Sequence, residues 1–182
     1  MNINMINRIE GNNIVLRKAK FDDYNAMLKN VWGNEDVYQW MLFKPTFTID
    51  EAIDRINRSI IFQKDNYAYF IAIKDTDEAI GLCGIREYDF MHYEESGICI
   101  APKYQGMGYG KEVLSLLLDL AFNKLNAIDF RYGYFKENVK SKKLAQTYKF
   151  KYKYTETIIR PWDNEEKIVE QCILTKEEYI NE

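Results

Sequence analysis

A glycine-rich run in the middle of the chain has the residue types and spacing of a ligand-binding loop. It follows a short apolar strand predicted at residues 98–100 and precedes a leucine-rich segment predicted to be a helix. Glycines let the backbone approach a ligand, and the first amides of a helix lack partners within the helix. A strand, a glycine-rich turn and a helix in this order favour phosphate binding. The predicted loop consists of Gln105, Gly106, Met107, Gly108, Tyr109, Gly110 and Lys111.

The spacing of the glycines distinguishes this loop from two nucleotide-binding motifs. A Walker loop requires Gly-Lys followed by Ser or Thr, but here Lys111 is followed by Glu112. A dinucleotide fingerprint has the spacing G-x-G-x-x-G and opens the first βαβ unit near the start of a chain. This chain has G-x-G-x-G in its middle. The loop therefore matches neither motif.

The spacing Gln105-x-x-Gly108-x-Gly110 resembles the pyrophosphate loop of the GNAT superfamily of N-acetyltransferases. The resemblance implies acetyl-CoA as the co-substrate and no metal. It also implies that an amide of the preceding strand donates to the acetyl carbonyl, while the strand edge pairs with the pantetheine arm. The strand residues concerned are Ile98, Cys99 and Ile100, of which Cys99 or Ile100 is the expected donor.

A second motif lies further along the chain. Asn138-x-x-Ser141 is similar to the segment of the superfamily in which an Asn and a Ser lie beside the CoA arm. Many members carry a Tyr four residues after this Ser, as the acid for the leaving thiolate. Here that position is Ala145. The identity of any general acid is therefore left open.

The predicted fold is α+β. Residues 95–102 read Glu-Ser-Gly-Ile-Cys-Ile-Ala-Pro, which resembles a run in the ribosomal-protein N-terminal acetyltransferase branch (RimJ/RimL-type). The resemblance covers residues 13–178 and implies a single acetyltransferase domain over residues 1–182. It implies a GNAT-like mixed, mostly antiparallel sheet of six to seven strands with helices on both faces. Hydrophobic periodicity gives a compatible order: one strand, three helices, three strands, a helix, a strand, a helix and two strands. The first strand is predicted at Ile14–Arg17, and the second helical stretch at residues 35–43. A capping box formed by Thr48 and Glu51 is predicted to begin the third helix.

Acetyl transfer to an amine needs a lone pair on nitrogen. Keeping an alkylamine neutral at pH 7 costs about 4–5 kcal/mol, because its reference pKa is about 10.4, so a general base is expected. Glu95 and Glu87 are the candidates, since each lies near the end of a central predicted strand, and Glu95 matches the branch motif. The alternatives are that both are solvated acids, that water serves, or that His92 takes part.

Three aromatic residues are candidates for contact with the acceptor. Trp32 and Tyr38 lie in the helical region expected to cover the acceptor groove, and core packing is the alternative for each. Trp162 lies beside acidic residues in the last predicted hairpin turn, where an ammonium group could be held by a cation–π contact. A solvated turn is the alternative for Trp162.

Residues 148–154 alternate between aromatic residues and lysines. Such a run could bind nucleic acid, but strict alternation predicts a half-buried strand with its rings inward and its lysines outward. The net charge of −3 also argues against nucleic acid as a partner and fits a cationic acceptor. The sequence predicts a partner that is an amine, either a small molecule or a protein N-terminus.

Neither a membrane span nor a signal peptide is predicted, so the expected location is the cytoplasm. The three cysteines, Cys83, Cys99 and Cys172, fall in predicted strands and are expected to be buried thiols. A monomer and a homodimer are both compatible with the sequence.

The predicted function is acetyl-CoA-dependent transfer of an acetyl group directly to a primary amine. A covalent intermediate on Cys99 is not expected, because no basic residue stands beside it in the sequence to activate the thiol. The alternative is a catalytically silent acyl-CoA-binding sensor or interaction domain of the same fold, which the Ala145 substitution leaves open.

Overall fold

The computed structural model describes residues 6–180 of the chain. These residues form two compact units. The first contains the described residues up to Gly84 together with Ser96–Leu116, and the second contains Ile85–Glu95 and the described residues from Leu117 onward. A single domain over residues 1–182 stays a prediction.

The first unit is built on an antiparallel sheet. Its strand order is β1-β2-β3-β4-β5, where β4 and β5 also continue into the second unit. The apolar residues Ile14, Val15 and Leu16 are almost completely buried in β2, so burial on both faces holds this strand in the core. The strands are β1 (Arg8–Glu10), β2 (Ile14–Arg17), β3 (Ala68–Ile73), β4 (Ala79–Asp89) and β5 (His92–Ile100).

Short helical segments link β2 to a longer helix. They are a 3-10 turn (Phe21–Asp23), α1 (Tyr24–Met27), a π turn (Leu28–Trp32) and α2 (Glu35–Tyr38), followed by α3 (Ile49–Lys64). The predicted capping box of α3 is confirmed: Thr48 Oγ1 accepts from the Glu51 amide at 3.2 Å, and Glu51 accepts from the Thr48 amide at 3.2 Å. The helix predicted over residues 35–43 is too long. It ends at Tyr38, because the amides of Trp40 and Met41 donate to carbonyls only three residues back, and the chain continues as turns.

The second unit has the strand order β4-β5-β6-β8-β7. The β5–β6 pair is parallel, with His92–Glu94 facing Asp129–Arg131, whereas β8 is antiparallel to both β6 and β7. The fold is thus the predicted α+β class with a mixed, mostly antiparallel sheet. The remaining elements are a 3-10 turn (Pro102–Tyr104), α4 (Tyr109–Asp119), a π turn (Leu120–Lys124), β6 (Asp129–Phe135), α5 (Val139–Thr147), β7 (Lys151–Ile159), β8 (Glu166–Thr175) and α6 (Lys176–Ile180).

Two sequence predictions about strands require correction. Within residues 6–180 the sheet has eight strands rather than six to seven, because β1 is too short to show a periodic pattern and exists through its pairing with β2. The prediction that the rings of residues 148–154 face inward is wrong for Tyr152, which is 62% exposed. Lys149 has a left-handed backbone (φ 55°), and a register shift between Tyr152 and Tyr154 breaks the alternation.

The three cysteines are buried free thiols, as predicted. Among the described residues, none of the helices combines the length and the apolar character that crossing a membrane requires.

Candidate functional site

The glycine loop leads directly into α4 and is open on its outer side. Gly106 and Gly108 have positive φ angles of +80° and +85°, a conformation that glycine adopts without strain. A Cβ atom built on either residue would have no heavy atom within 4 Å. The two glycines are therefore required by the backbone conformation, and the space beside them can receive a ligand.

The loop is fixed at both ends. Gln105 Nε2 donates to the carbonyl of Ile100 at 2.8 Å, which connects the loop to the last residue of β5. The amides of Lys111 and Glu112 donate to the carbonyl of Gly108 at 3.1 and 3.2 Å and begin the helical turn. Tyr109 and Gly110 occupy the first positions of α4, so their amides point out of its N-terminus. Met107, between the two left-handed glycines, is 57% exposed.

Glu112 fixes the start of α4 to the residues that precede β2. Its carboxylate accepts from the Asn13 amide at 2.8 Å, from Asn13 Nδ2 at 3.0 Å and from the Ile14 amide at 3.3 Å. Burial acts to raise the pKa of Glu112, but these hydrogen bonds outweigh it and leave the pKa below its usual value. Glu112, which stands after Lys111 where a Walker loop requires Ser or Thr, thus anchors the start of the helix.

The end of β5 is irregular. Gly97 has a φ of +114°, a conformation that favours glycine at this position of the chain. The Ala101 amide donates to the carbonyl of Ile80 at 2.8 Å. Because successive amides of a strand point to opposite edges, the Ile100 amide faces away from Ile80. Burial raises the pKa of the Cys99 thiol to about 12, so this cysteine stays protonated and unreactive.

A polar group in the second unit contains several predicted site residues. Asn138 is the N-cap of α5, and its Oδ1 accepts from the Ser141 amide at 3.1 Å. Ser141 Oγ lies 2.7 Å from the hydroxyl of Tyr132, where either can donate. Burial, followed by the nearby charge of Glu95, raises the pKa of Tyr132. Glu95 itself is half-buried in β5, and Ala145 is buried in α5.

Tyr132 is the residue of this group that sequence reasoning missed. The alternating pattern of residues 128–135 predicts a strand but does not indicate that the Tyr132 ring reaches Ser141. The other candidate base, Glu87, is exposed and accepts from the Met91 amide at 2.7 Å across the β4–β5 hairpin. His92 Nδ1 lies 2.8 Å from Asp129 Oδ2, so its ring is held by a carboxylate in the second unit.

The three candidate acceptor residues are placed differently from one another. Trp32 is only 1% exposed and packs edge-on against Phe70, so its ring is part of the core. Tyr38 is half-buried and lies edge-on to Phe47, with ring centroids 6.0 Å apart. The guanidinium of Arg160 lies 4.2 Å from the centroid of the Trp162 ring. That ring therefore already has a cation in contact.

The acids next to Trp162 are also engaged, because both Asp163 and Glu165 form ion pairs with Arg160. Within residues 6–180, no cluster of three or more His, Cys, Asp or Glu side chains is placed to hold a metal ion.

Comparison with known proteins identifies the family. Residues 13–151 match the family described as Acetyltransferase (GNAT) domain. Because this match covers most of the chain, the protein belongs to the GNAT acetyltransferase family. A curated relative, the uncharacterized N-acetyltransferase p20 of Bacillus licheniformis, is 26% identical over 140 residues, which cover 75% of this chain and 78% of the relative.

Solved structures show the same fold. One, from Vibrio cholerae, is described as a proposed ribosomal-protein-serine acetyltransferase; it is 22% identical, with a TM-score of 0.78, and the match covers 96% of this chain and 99% of that one. Another is a spermidine N-acetyltransferase from Vibrio cholerae in complex with CoA and spermine. It is 20% identical, with a TM-score of 0.74 and coverage of 93% and 99%.

Family membership gives the activity. The protein is an acetyl-CoA-dependent N-acetyltransferase that transfers an acetyl group to an amine. The open glycine loop before α4 fits this co-substrate, because its backbone amides and left-handed glycines provide a place for a phosphate group.

Proposed function

We propose that the protein acetylates a primary amine by direct transfer, with the loop at residues 105–111 binding the pyrophosphate of acetyl-CoA and Glu95 acting as the general base. The observation that carries this proposal is the open, left-handed turn at Gly106 and Gly108 immediately before α4. The low reactivity expected of the buried Cys99 thiol supports transfer without a covalent enzyme intermediate.

Acetyl-CoA supplies a thioester carbonyl that an amine can attack. As the C–N bond forms and the C–S bond breaks, the amine proton passes to Glu95, either directly or through water. Glu95 is favoured over Glu87, because the Glu87 carboxylate is exposed in the hairpin whereas Glu95 is half-buried near the Tyr132 hydroxyl. A carboxylate in this role contributes about 10²–10⁴ in rate.

The carbonyl oxygen gains negative charge during the reaction and requires a donor. The proposed donor is the Ile100 amide. Ala101 is less suitable because its amide already donates to Ile80, and the amide of Cys99 points in the same direction as that of Ala101.

The leaving thiolate also needs a hydrogen-bond donor. Ser141 is the proposed donor, supported by the Tyr132 hydroxyl at 2.7 Å. Both hydroxyls carry their protons at neutral pH, so the pair has a proton to donate. This arrangement would replace the Tyr that many relatives carry where this chain has Ala145.

The acceptor is either a small amine or a protein N-terminus. The two solved structures are named for ribosomal-protein serine and for spermidine, which represent these two classes. The expected location is the cytoplasm, where the three free thiols would remain reduced.

The experiment that tests this proposal measures thermal melting with acetyl-CoA, CoA or ATP, followed by thiol release with a panel of amines. Ligand at about 100 times its Kd should stabilise the protein by about 2.7 kcal/mol, and ATP should not. Release of CoA with at least one amine supports transfer. Binding of acetyl-CoA without turnover on the whole panel would indicate the silent, acyl-CoA-binding alternative.

A further inference from the structure

A cavity of about 520 Å³ lies in the first unit, beside α3 and the segment that leads into it. Cavities of this size hold small-molecule ligands. Part of its lining is apolar, from Phe43, Pro45 and Phe62, and the rest contains polar and charged groups. The most buried charged group among them is the guanidinium of Arg55.

Arg55 is held in place by contacts that do not neutralise its charge. Its guanidinium lies between two aromatic rings, 4.8 Å from the centroid of Trp32 and 4.4 Å from that of Phe43. Nη1 donates to the carbonyl of Lys44 and to Thr46 Oγ1, both at 2.9 Å. Within residues 6–180, no carboxylate forms an ion pair with Arg55. A buried charge normally has a counter-charge, because desolvation is costly.

The two acids that line the cavity have partners of their own. Asp54 pairs with Arg58 at 3.2 Å. Glu51 accepts from the amides of Phe47 and Thr48 in the capping box of α3. Glu51 nevertheless keeps its negative charge, because its donors are neutral amides. With Asp54 and Arg58 paired, Arg55 and the exposed Lys44 on the rim stand against Glu51 alone, so the net charge of the lining is positive. The cavity therefore favours an anionic group.

The cavity is close to the strand end at which the acetyl group is expected. Trp32, beneath the Arg55 guanidinium, belongs to the same hydrophobic cluster as Cys99 of β5. Burial raises the pKa of the Cys99 thiol, whereas the nearby positive charge of Arg55 acts to lower it. Arg55 thus lies within electrostatic range of the residue next to Ile100.

We propose that this cavity binds the acid group of the acceptor, so that the preferred substrate is a small primary amine bearing a carboxylate or a phosphate rather than a polyamine. Arg55 binds that acid group through its remaining guanidinium N–H groups, while Phe43 and Phe62 contact the apolar part of the molecule. This inference rests on the proposed function, because it assigns the acceptor class of the same reaction.

The test compares amines that differ only in the acid group. The pairs are phenylalanine with phenylalaninamide, lysine with lysinamide and O-phosphoethanolamine with ethanolamine, and spermidine is added as the polyamine. The third pair separates phosphate from carboxylate recognition. The amides have the less basic amine, so without acid recognition they should be the better substrates at neutral pH. We expect instead that the acid member of a pair has a kcat/KM about 10- to 100-fold higher, chiefly through KM.

Variants of Arg55 test whether this preference for the acid arises from the cavity. Arg55→Gln should remove it, and Arg55→Lys, which retains the charge but not the planar fork, should retain part of it. Lys64→Gln is the control, because it removes one positive charge from the exposed end of the same helix, outside the cavity. Melting with acetyl-CoA verifies that each variant is folded.

The outcomes separate this inference from the proposed function. Turnover with equal use of acids and amides, or a preference that survives Arg55→Gln, overturns the acid-binding cavity and leaves the transferase proposal intact. Calorimetry provides a readout that does not depend on turnover. Acid binding that requires Arg55 but is accompanied by no CoA release supports the cavity and overturns direct transfer.

Discussion

The glycine loop and the Arg55 cavity are both suited to an anionic group, but they are built from different parts of the chain. The loop uses consecutive residues, and its positive character comes from backbone amides at the start of α4. The cavity uses a side chain of α3 held between rings at positions 32 and 43. The first is a local structure, and the second exists only after the chain has folded.

This difference affects how each region can vary. The loop depends on glycines at positive φ, so its requirements concern backbone conformation and space. The cavity depends on one guanidinium and on the aromatic faces that hold it, so a single side-chain change can alter its charge. The co-substrate should therefore be common to related chains, while the acceptor can change with few substitutions.

The largest expected effect is a loss of acetyl-CoA binding at the glycine loop that leaves binding at the Arg55 cavity unchanged. Gly108→Asp places a carboxylate in the open space of the loop and should weaken acetyl-CoA binding at least ~100-fold by charge repulsion and bulk. The fold should survive, because Asp tolerates positive φ better than most residues. Calorimetry with acetyl-CoA measures the loss, and acid-bearing amines should still bind. Met107→Ala, at an exposed position of the same loop, is the control. If Gly108→Asp bound acetyl-CoA with unchanged affinity, the loop would not be the pyrophosphate site.

The second effect should change the rate and leave binding at both regions intact. Glu95→Gln should lower kcat about 100-fold at pH 7 and less in alkali, where the amine loses its proton without help. The pH profile of thiol release measures this difference. Glu87→Gln is the matched variant, since it removes the other candidate base from an exposed hairpin position. A decrease that is the same at every pH, or a larger one in Glu87→Gln, would exclude Glu95 as the base.

The smallest effect concerns the support of the loop. Glu112→Gln should destabilise the protein by about 2 kcal/mol at pH 7, because three hydrogen bonds to a charged carboxylate are weakened. The folded-state pKa of Glu112 is lowered, so its stabilisation is complete above the unfolded-state pKa of about 4.3 and is lost as the pH falls through the folded-state value.

Denaturant unfolding at several pH values tests that prediction. The difference between the unsubstituted protein and Glu112→Gln should shrink below about pH 4. Asp119→Asn is the control, because that carboxylate lies on the same helix but accepts from the Asn123 side chain at 2.7 Å. A difference that stays constant down to acid pH would show that the carboxylate charge has no part in the anchor.

Local patterns allowed most secondary structure to be predicted. The capping box of α3 and the strand at Ile14–Arg17 are confirmed, since each depends on neighbouring residues. Predictions failed where distant residues decide the structure. β1 forms by pairing with β2, and Tyr152 is turned outward by a register shift against β8.

The candidate site was predictable to different degrees. The glycine loop and the N-cap of α5 are contiguous motifs, so their residues could be named from the sequence. Trp32 was selected for direct contact, but its ring is buried beneath Arg55, a residue that no motif indicates. Trp162 was selected to hold a cation, and Arg160 already lies over its ring.

The sequence by itself determined the family, the co-substrate and the position of the loop proposed to bind it, because backbone conformation and helix starts are set over a few residues. Only the tertiary structure decided which partly buried charge has no carboxylate partner within residues 6–180. Arg55 is separated from Trp32 and Phe43 along the chain, and folding alone places its guanidinium between their rings. The electrostatics that would select the acceptor therefore depend on long-range packing.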